Sequence, residues 1–250
     1  MSQLSVDVLR RAAGAGLGAG AAGYGAPMEN PDTVLLDVDG TLVDSTYHHA
    51  VAWHRAFAAH GLHQPMWRVH RSIGMGGDHL VSEVAGDEVE DRLGDALRKA
   101  WESEYDKLID EVIPLPGAAD LVRSLKDKGL LVALASSGPA EHTERSAELL
   151  GVTDLLDAIT SSADADSSKP APDIFGVALR KCGGTSAIVV GDSVYDVESA
   201  RRLPAPCVAV RTGGFGVAEL EQAGAVLVVD GPGDLLETDW HSLGHRAGHD

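Results

Sequence analysis

The sequence is short of cysteine, of basic residues and of long apolar runs, and each shortage excludes something. Only two cysteines occur in 250 residues, Cys182 and Cys207, far apart and without a C-x-x-C spacing. A chain of this length builds a core that holds without disulfides, so both read as reduced core thiols. Lys and Arg number 20 against 38 Asp and Glu, a formal net charge of -18. A surface this acidic repels nucleic acid and anionic membranes and leaves a small molecule as the expected partner. No apolar run approaches the roughly 18–20 residues that span a bilayer. The stretch after Arg10-Arg11 is nearly all glycine and alanine, with Leu17 alone where an export signal needs a leucine-rich segment. Residues 1–31 are therefore expected to be a flexible leader outside the fold, and the protein to be cytoplasmic, a monomer or homodimer.

What is present is the composition of a soluble globular protein, 44% hydrophobic and 23% charged. Thr33 to Val38 is a short apolar run that takes in Asp37, which reads as a buried parallel strand with a functional group at its carboxyl end. From Ser45 the period becomes helical, with an apolar stripe through Ala50, Trp53 and Phe57 that stops at Gly61. Further helices are predicted at 78–85 and 88–111, beyond the loop Gly74-Met75-Gly76-Gly77, and no strand pattern appears between 45 and 113. After Pro114-Leu115-Pro116-Gly117, strands and helices alternate. The strands are Leu130 to Ser136, Ala158 to Ser161, Ala187 to Val190, Pro206 to Arg211 and Ala225 to Val229. This rhythm predicts an α/β fold, a doubly wound and mainly parallel sheet of Rossmann-like form. The expected division is an α/β core at 32–44 and 114–240, an all-helical cap at 45–113 and a disordered tail at 241–250.

Three acidic residues stand at predicted strand ends. Asp37 and Asp39 share one side of an extended chain, and Asp192 follows another strand. Carboxylates brought together repel unless a cation lies among them, and an oxygen-only set suits Mg²⁺. An acidic protein that binds an anionic ester must also reverse its potential locally, with metal, lysine and backbone N–H groups.

Four runs supply such parts in order: Asp37-Val38-Asp39-Gly40-Thr41, then Ser136-Ser137-Gly138, then Ser168-Lys169-Pro170, and last Gly191-Asp192-Ser193-Val194-Tyr195-Asp196. Their order and strand context resemble the four motifs of the haloacid dehalogenase-like (HAD) hydrolase superfamily, over about residues 33–230. The resemblance implies a Mg²⁺-dependent phosphatase acting on a small phosphate ester of the phosphoglycolate or sugar phosphate class, through an aspartyl-phosphate. It makes Asp37 the nucleophile, Asp39 the general acid and base, Ser136 with the N–H groups of Ser137 and Gly138 the phosphoryl cradle, and Lys169 the charge neutraliser. Mg²⁺ would be held by Asp37, the carbonyl of Asp39, and Asp192, with Asp196 as a further or water-mediated ligand.

The helical block resembles the cap of phosphoglycolate phosphatases and β-phosphoglucomutases, and a mutase on the same fold is the alternative reading. His49, with Trp53 one turn on, resembles the mutase pairing that gates the general acid; it reads equally as a surface histidine beside a core tryptophan. Arg71, Gly76 and Gly77 are expected to face the substrate. The loop after Ser136 has no lysine, a departure from the mutases, whose bisphosphate intermediate needs two cationic grips.

Overall fold

The computed structural model describes residues 30–164 and 168–244. The expected leader lies outside the described residues, except for its last two positions.

The described strands are β1 (Thr33–Leu36), β2 (Leu131–Ala135), β3 (Ala158–Thr160), β4 (Ala187–Gly191), β5 (Cys207–Val210) and β6 (Leu227–Val229). They form one sheet in the order β3-β2-β1-β4-β5-β6, and every pairing is parallel. The α/β reading is thereby met. β1 lies centrally, with Leu36 opposite Leu134 on one side and Val190 on the other. The order of connection reverses between β1 and β4, and in open α/β sheets that switch point, at the carboxyl ends of the strands, is where ligands bind.

Alternation along the strands builds a core on each face. Val34, Leu36, Val132, Leu134, Ile188 and Val190 join one apolar cluster with α5 (Ala118–Asp127) and α6 (Ala140–Leu150). Leu35, Ala133, Ala135, Val189 and Ala209 join the other with α7 (Asp173–Lys181), α8 (Val194–Arg202) and α9 (Val217–Ala223). Continuous apolar runs are what a sheet covered on both faces requires. Cys207 is buried in the second cluster, Cys182 only partly so, and both are free thiols.

Between β1 and β2 stand α1 (Thr46–Ala59), α2 (Met66–Arg71), α3 (Gly77–Ala85) and α4 (Asp87–Tyr105). They close a core of their own around Trp53, Phe57, Val69, Leu80, Val81, Val84 and Leu97. Helix α2 was not anticipated, because six residues are too few to display a period. The predicted helix over 88–111 stops at Tyr105, followed by a separate 3₁₀ turn at Ile109–Glu111. Of the expected tail, residues 241–244 are helical, and 245–250 lie outside the described residues. Trp240–Gly244 forms the helix α10, and Trp240 and Leu243 are buried against the first apolar cluster. Two large apolar side chains anchor a segment whose composition alone reads as polar.

Candidate active site

The first four residues after β1 turn sharply at the switch point. Gly40 has φ +78 and packs where a Cβ would collide with the Asp192 carboxylate and with Thr46. Gly213 also packs where a Cβ would collide with the Asp192 carboxylate. Only glycine permits both approaches, so the backbone closes tightly around that carboxylate.

Asp37, Lys169, Asp192 and Asp196 are all buried, none more than 5% exposed. The Lys169 ammonium pairs with Asp37 and lies 2.8 Å from Asp196. It also stands 5.0 Å over the Phe175 ring centroid. The Thr41 hydroxyl donates to Asp37 at 3.0 Å. Carboxylate oxygens of Asp37, Asp192 and Asp196 lie within 4.8 Å of one another. One ammonium thus faces three buried carboxylates. Burial, with the charges of Asp196 and Asp39, pushes Asp37 up to about 7 against the pull of Lys169. Burial and the Asp37 and Asp196 charges likewise hold Asp192 well above the ordinary carboxylate range. A divalent cation among these oxygens would relieve both, and the all-carboxylate donor set fits Mg²⁺.

Asp196 has further duties. It accepts from the Ser193 hydroxyl at 2.6 Å and from the Ser193 N–H at 3.1 Å, while its own N–H donates to the Ser193 hydroxyl at 3.3 Å, which closes the reciprocal cap that starts α8. Ser193 is committed to that cap.

Asp39 is differently placed. Its Oδ1 accepts from Ser45 at 2.6 Å and lies 2.9 Å from His49 Nε2. Burial opposes ionisation here, but the His49 charge, hydrogen bonds from His49 and Ser45, and Lys169 together hold the carboxyl below its usual value. His49 itself is buried and stacked on Tyr105, with ring centroids 3.9 Å apart. Of the two readings left open for His49, the surface one is thereby excluded. Ser136 donates to Asp39 at 3.5 Å and accepts from the Gly138 N–H at 3.0 Å. Among the described residues the buried Ser137 hydroxyl has no partner.

A cavity of about 530 Å³ opens between the sheet edge and the helices above it. Asp37, Asp39, His49, Gly76, Gly77, Ser137, Gly138 and Lys169 line it, as do Trp53 and Trp101. Ser136, Asp192 and Asp196 are buried and do not line it. Arg71 does not line it either, against expectation. At the carboxyl end of α2 it turns to Glu219 at 2.6 Å and over the Phe215 ring at 4.2 Å. Gly76 lies at the wall, but its N–H is taken by Ser168 at 3.1 Å. The sequence reading missed Asp95, Arg98, Lys99 and Glu102 of α4, all of which line the cavity. Their i, i+3, i+4, i+7 spacing was the available signal, a charged stripe beside the buried Leu97.

Comparison with known proteins places these features. The model of the family described as haloacid dehalogenase-like hydrolase matches residues 31–203. Validoxylamine A 7'-phosphate phosphatase of Streptomyces hygroscopicus subsp. limoneus is 25% identical over 224 residues, covering 84% of this chain and 97% of that protein. A phosphoglycolate phosphatase of Rhodobacter capsulatus is 26% identical over 196 residues, covering 75% and 87%. The crystal structure of a hydrolase from Pseudomonas syringae superposes with a TM-score of 0.77 at 33% identity, covering 82% of this chain and 95% of that one.

Proposed function

Because the chain belongs to the haloacid dehalogenase-like hydrolases and is a phosphoric monoester hydrolase, we propose that it removes phosphate from a small phosphorylated metabolite through an aspartyl-phosphate on Asp37. The metabolite is of the phosphoglycolate or sugar phosphate class. The observation that carries this reading is the buried excess of carboxylates around one lysine, which calls for a cation at the sheet edge. Unpaired buried charge costs several kcal/mol per ion, on the order of 3–5 kcal/mol when one partner of a pair is missing.

Asp37, the carbonyl of Asp39, and Asp192 would hold Mg²⁺, with Asp196 within reach of the same ion. When bound, Mg²⁺ neutralises charge on the phosphoryl oxygens and keeps Asp37 ionised. Asp37 attacks phosphorus in line and expels the ester oxygen. Lys169 cancels charge on both the nucleophile and the transferring group. Ser136 shapes the loop by accepting the Gly138 N–H, which therefore does not join the expected phosphoryl cradle, and the Ser137 N–H faces the phosphoryl oxygens. The unpartnered Ser137 hydroxyl adds a donor. Asp39 protonates the leaving oxygen and then activates water. It rests as a carboxylate, so it must first take up a proton, and the His49 imidazole is the group placed to exchange one.

Above the sheet edge the four helices act as a cap, excluding water and selecting the substrate. Here Trp53, Trp101 and the α4 stripe are the selecting surface.

The test is phosphate release from p-nitrophenyl phosphate and a metabolite panel, with and without Mg²⁺. Release should require Mg²⁺ and be abolished by Asp37→Asn. Well-folded protein that releases no phosphate from any ester in the presence of Mg²⁺ would refute the reading.

A further inference from the structure

We infer that the alcohol half of the substrate is an uncharged, hydroxyl-rich ring of about hexose size, with no second phosphate or carboxylate. This rests on the phosphatase reading above and narrows its substrate class. The walls of the cavity beyond the phosphoryl site carry the inference.

Charge comes first. A second anionic group needs at least one free cationic grip, and a phosphate prefers two or a bidentate arginine. Lys169 is engaged by Asp37 and Asp196. Arg98 faces the cavity but its charge is answered by Glu90 and Asp95. It donates to Glu90 at 2.8 and 3.0 Å, to Asp95 at 2.9 Å and to the Gly77 carbonyl at 3.0 Å. Lys99 stands exposed at the mouth, flanked on the same helix face by Asp95 and Glu102. Any anion drawn to Lys99 meets those two carboxylates. Hydroxyl groups suit the same wall, because Asp95 and Glu102 accept from O–H donors and Lys99 donates to oxygen.

Size and shape agree. A volume of about 530 Å³ far exceeds what a phosphoryl group with a two-carbon acid would fill. Such an acid would also set its carboxylate towards the α4 acids. The cavity holds the stacked indoles of Trp53 and Trp101, with centroids 5.3 Å apart. The two indoles pack against each other as an apolar wall, and the Trp101 N–H is buried without a partner among the described residues. An apolar platform beside a ring of donors and acceptors is the usual lining of a site that selects a polar small molecule.

The geometry therefore makes Glu102 and Asp95 specificity-determining residues. The experiment compares kcat/KM with Mg²⁺ for hexose 6-phosphates, phosphoglycolate, a hexose bisphosphate and p-nitrophenyl phosphate, in wild type and Glu102→Lys. Glu102 is exposed, so the variant should fold, as circular dichroism would show. A lost charge-assisted hydrogen bond lowers kcat/KM by about tenfold or more. Wild type should prefer a hexose monophosphate over both phosphoglycolate and the bisphosphate by about tenfold. Glu102→Lys should move the ratio of monophosphate to bisphosphate by about tenfold towards the bisphosphate. Hydrolysis of p-nitrophenyl phosphate with phosphoglycolate or the bisphosphate preferred, or an unmoved ratio in the variant, would overturn the inference alone. Absence of release from every ester would overturn the phosphatase reading with it.

Discussion

The sheet edge and the wall of α4 face each other across one cavity and are built on opposite plans. At the edge the network is buried: Lys169 pairs with Asp37 and Asp196, Asp196 also joins the cap of α8, and Asp192 has no cationic partner among the described residues. On α4 the charges lie at the mouth, in water, and the partners are i, i+3 neighbours such as Arg98 and Asp95. Buried ionic networks break expensively and exposed ones cheaply. Chemistry is thus locked into the half that cannot change without unfolding or inactivating the protein. Selectivity is left to the half that tolerates substitution.

The sharpest way to break this contrast is at Lys169. Lys169→Met should destabilise the protein by about 3–5 kcal/mol in urea unfolding, because Asp37 and Asp196 lose their counterion, and should also remove turnover. A variant with wild-type stability would mean that the buried carboxylates are not charged. Next comes His49, where the two plans meet. His49→Ala should lower kcat by about 10- to 100-fold through loss of a hydrogen bond to a charged partner, with a much smaller change in KM. An effect on KM alone would move His49 into the selecting half.

The pH dependence of stability sharpens the same comparison. Asp37 is raised from an ordinary 3.8 to about 7, and Asp192 also lies above its ordinary value. Both bind protons more tightly when folded, so their contribution is complete below pH 3.8 and is lost as pH rises, for Asp37 through about 7. Asp39 has the opposite sign, and its contribution is lost as pH falls below the ordinary carboxylate range. In chelator, Tm should therefore fall as pH climbs from 5 towards 8. Added Mg²⁺ should raise Tm more at pH 7.5 than at pH 5, because protons and the cation compete for the same oxygens. An equal Mg²⁺ increment at both values would exclude Asp37 and Asp192 as its ligands.

The smallest effect is expected at Arg71. Its pair with Glu219 is exposed, so Arg71→Ala should cost no more than about 1 kcal/mol and leave KM unchanged. A tenfold rise in KM would return Arg71 to the substrate site.

Arg71 also marks where the sequence stops being legible. Strands and helices of the α/β part announce themselves, because buried parallel strands are apolar runs and glycine or proline punctuates each helix. Asp37, Ser136 and Asp192 are recognisable because the chain order places them at strand ends, and Lys169 by its Ser168-Lys169-Pro170 run ahead of α7, whatever their side chains do next. Above the edge, orientation depends on how helices pack together. Arg71 stands just before the Gly-rich loop in sequence, yet α2 carries it towards α9. Lys99 and Glu102 sit in a long, mostly polar helix whose inner face cannot be told from its outer one until Leu97 is seen to be buried. Short helices such as α2 and α10 show no period at all.

A direct measurement decides whether Asp37 carries the phosphoryl group. Acid-quenched turnover mixtures can be reduced with borohydride, which converts an acyl phosphate to an alcohol, and mapped by peptide mass spectrometry. Reduction should appear at Asp37, only when both substrate and Mg²⁺ are present. Steady phosphate release with Asp37 left intact, or reduction at any other carboxylate, would contradict it.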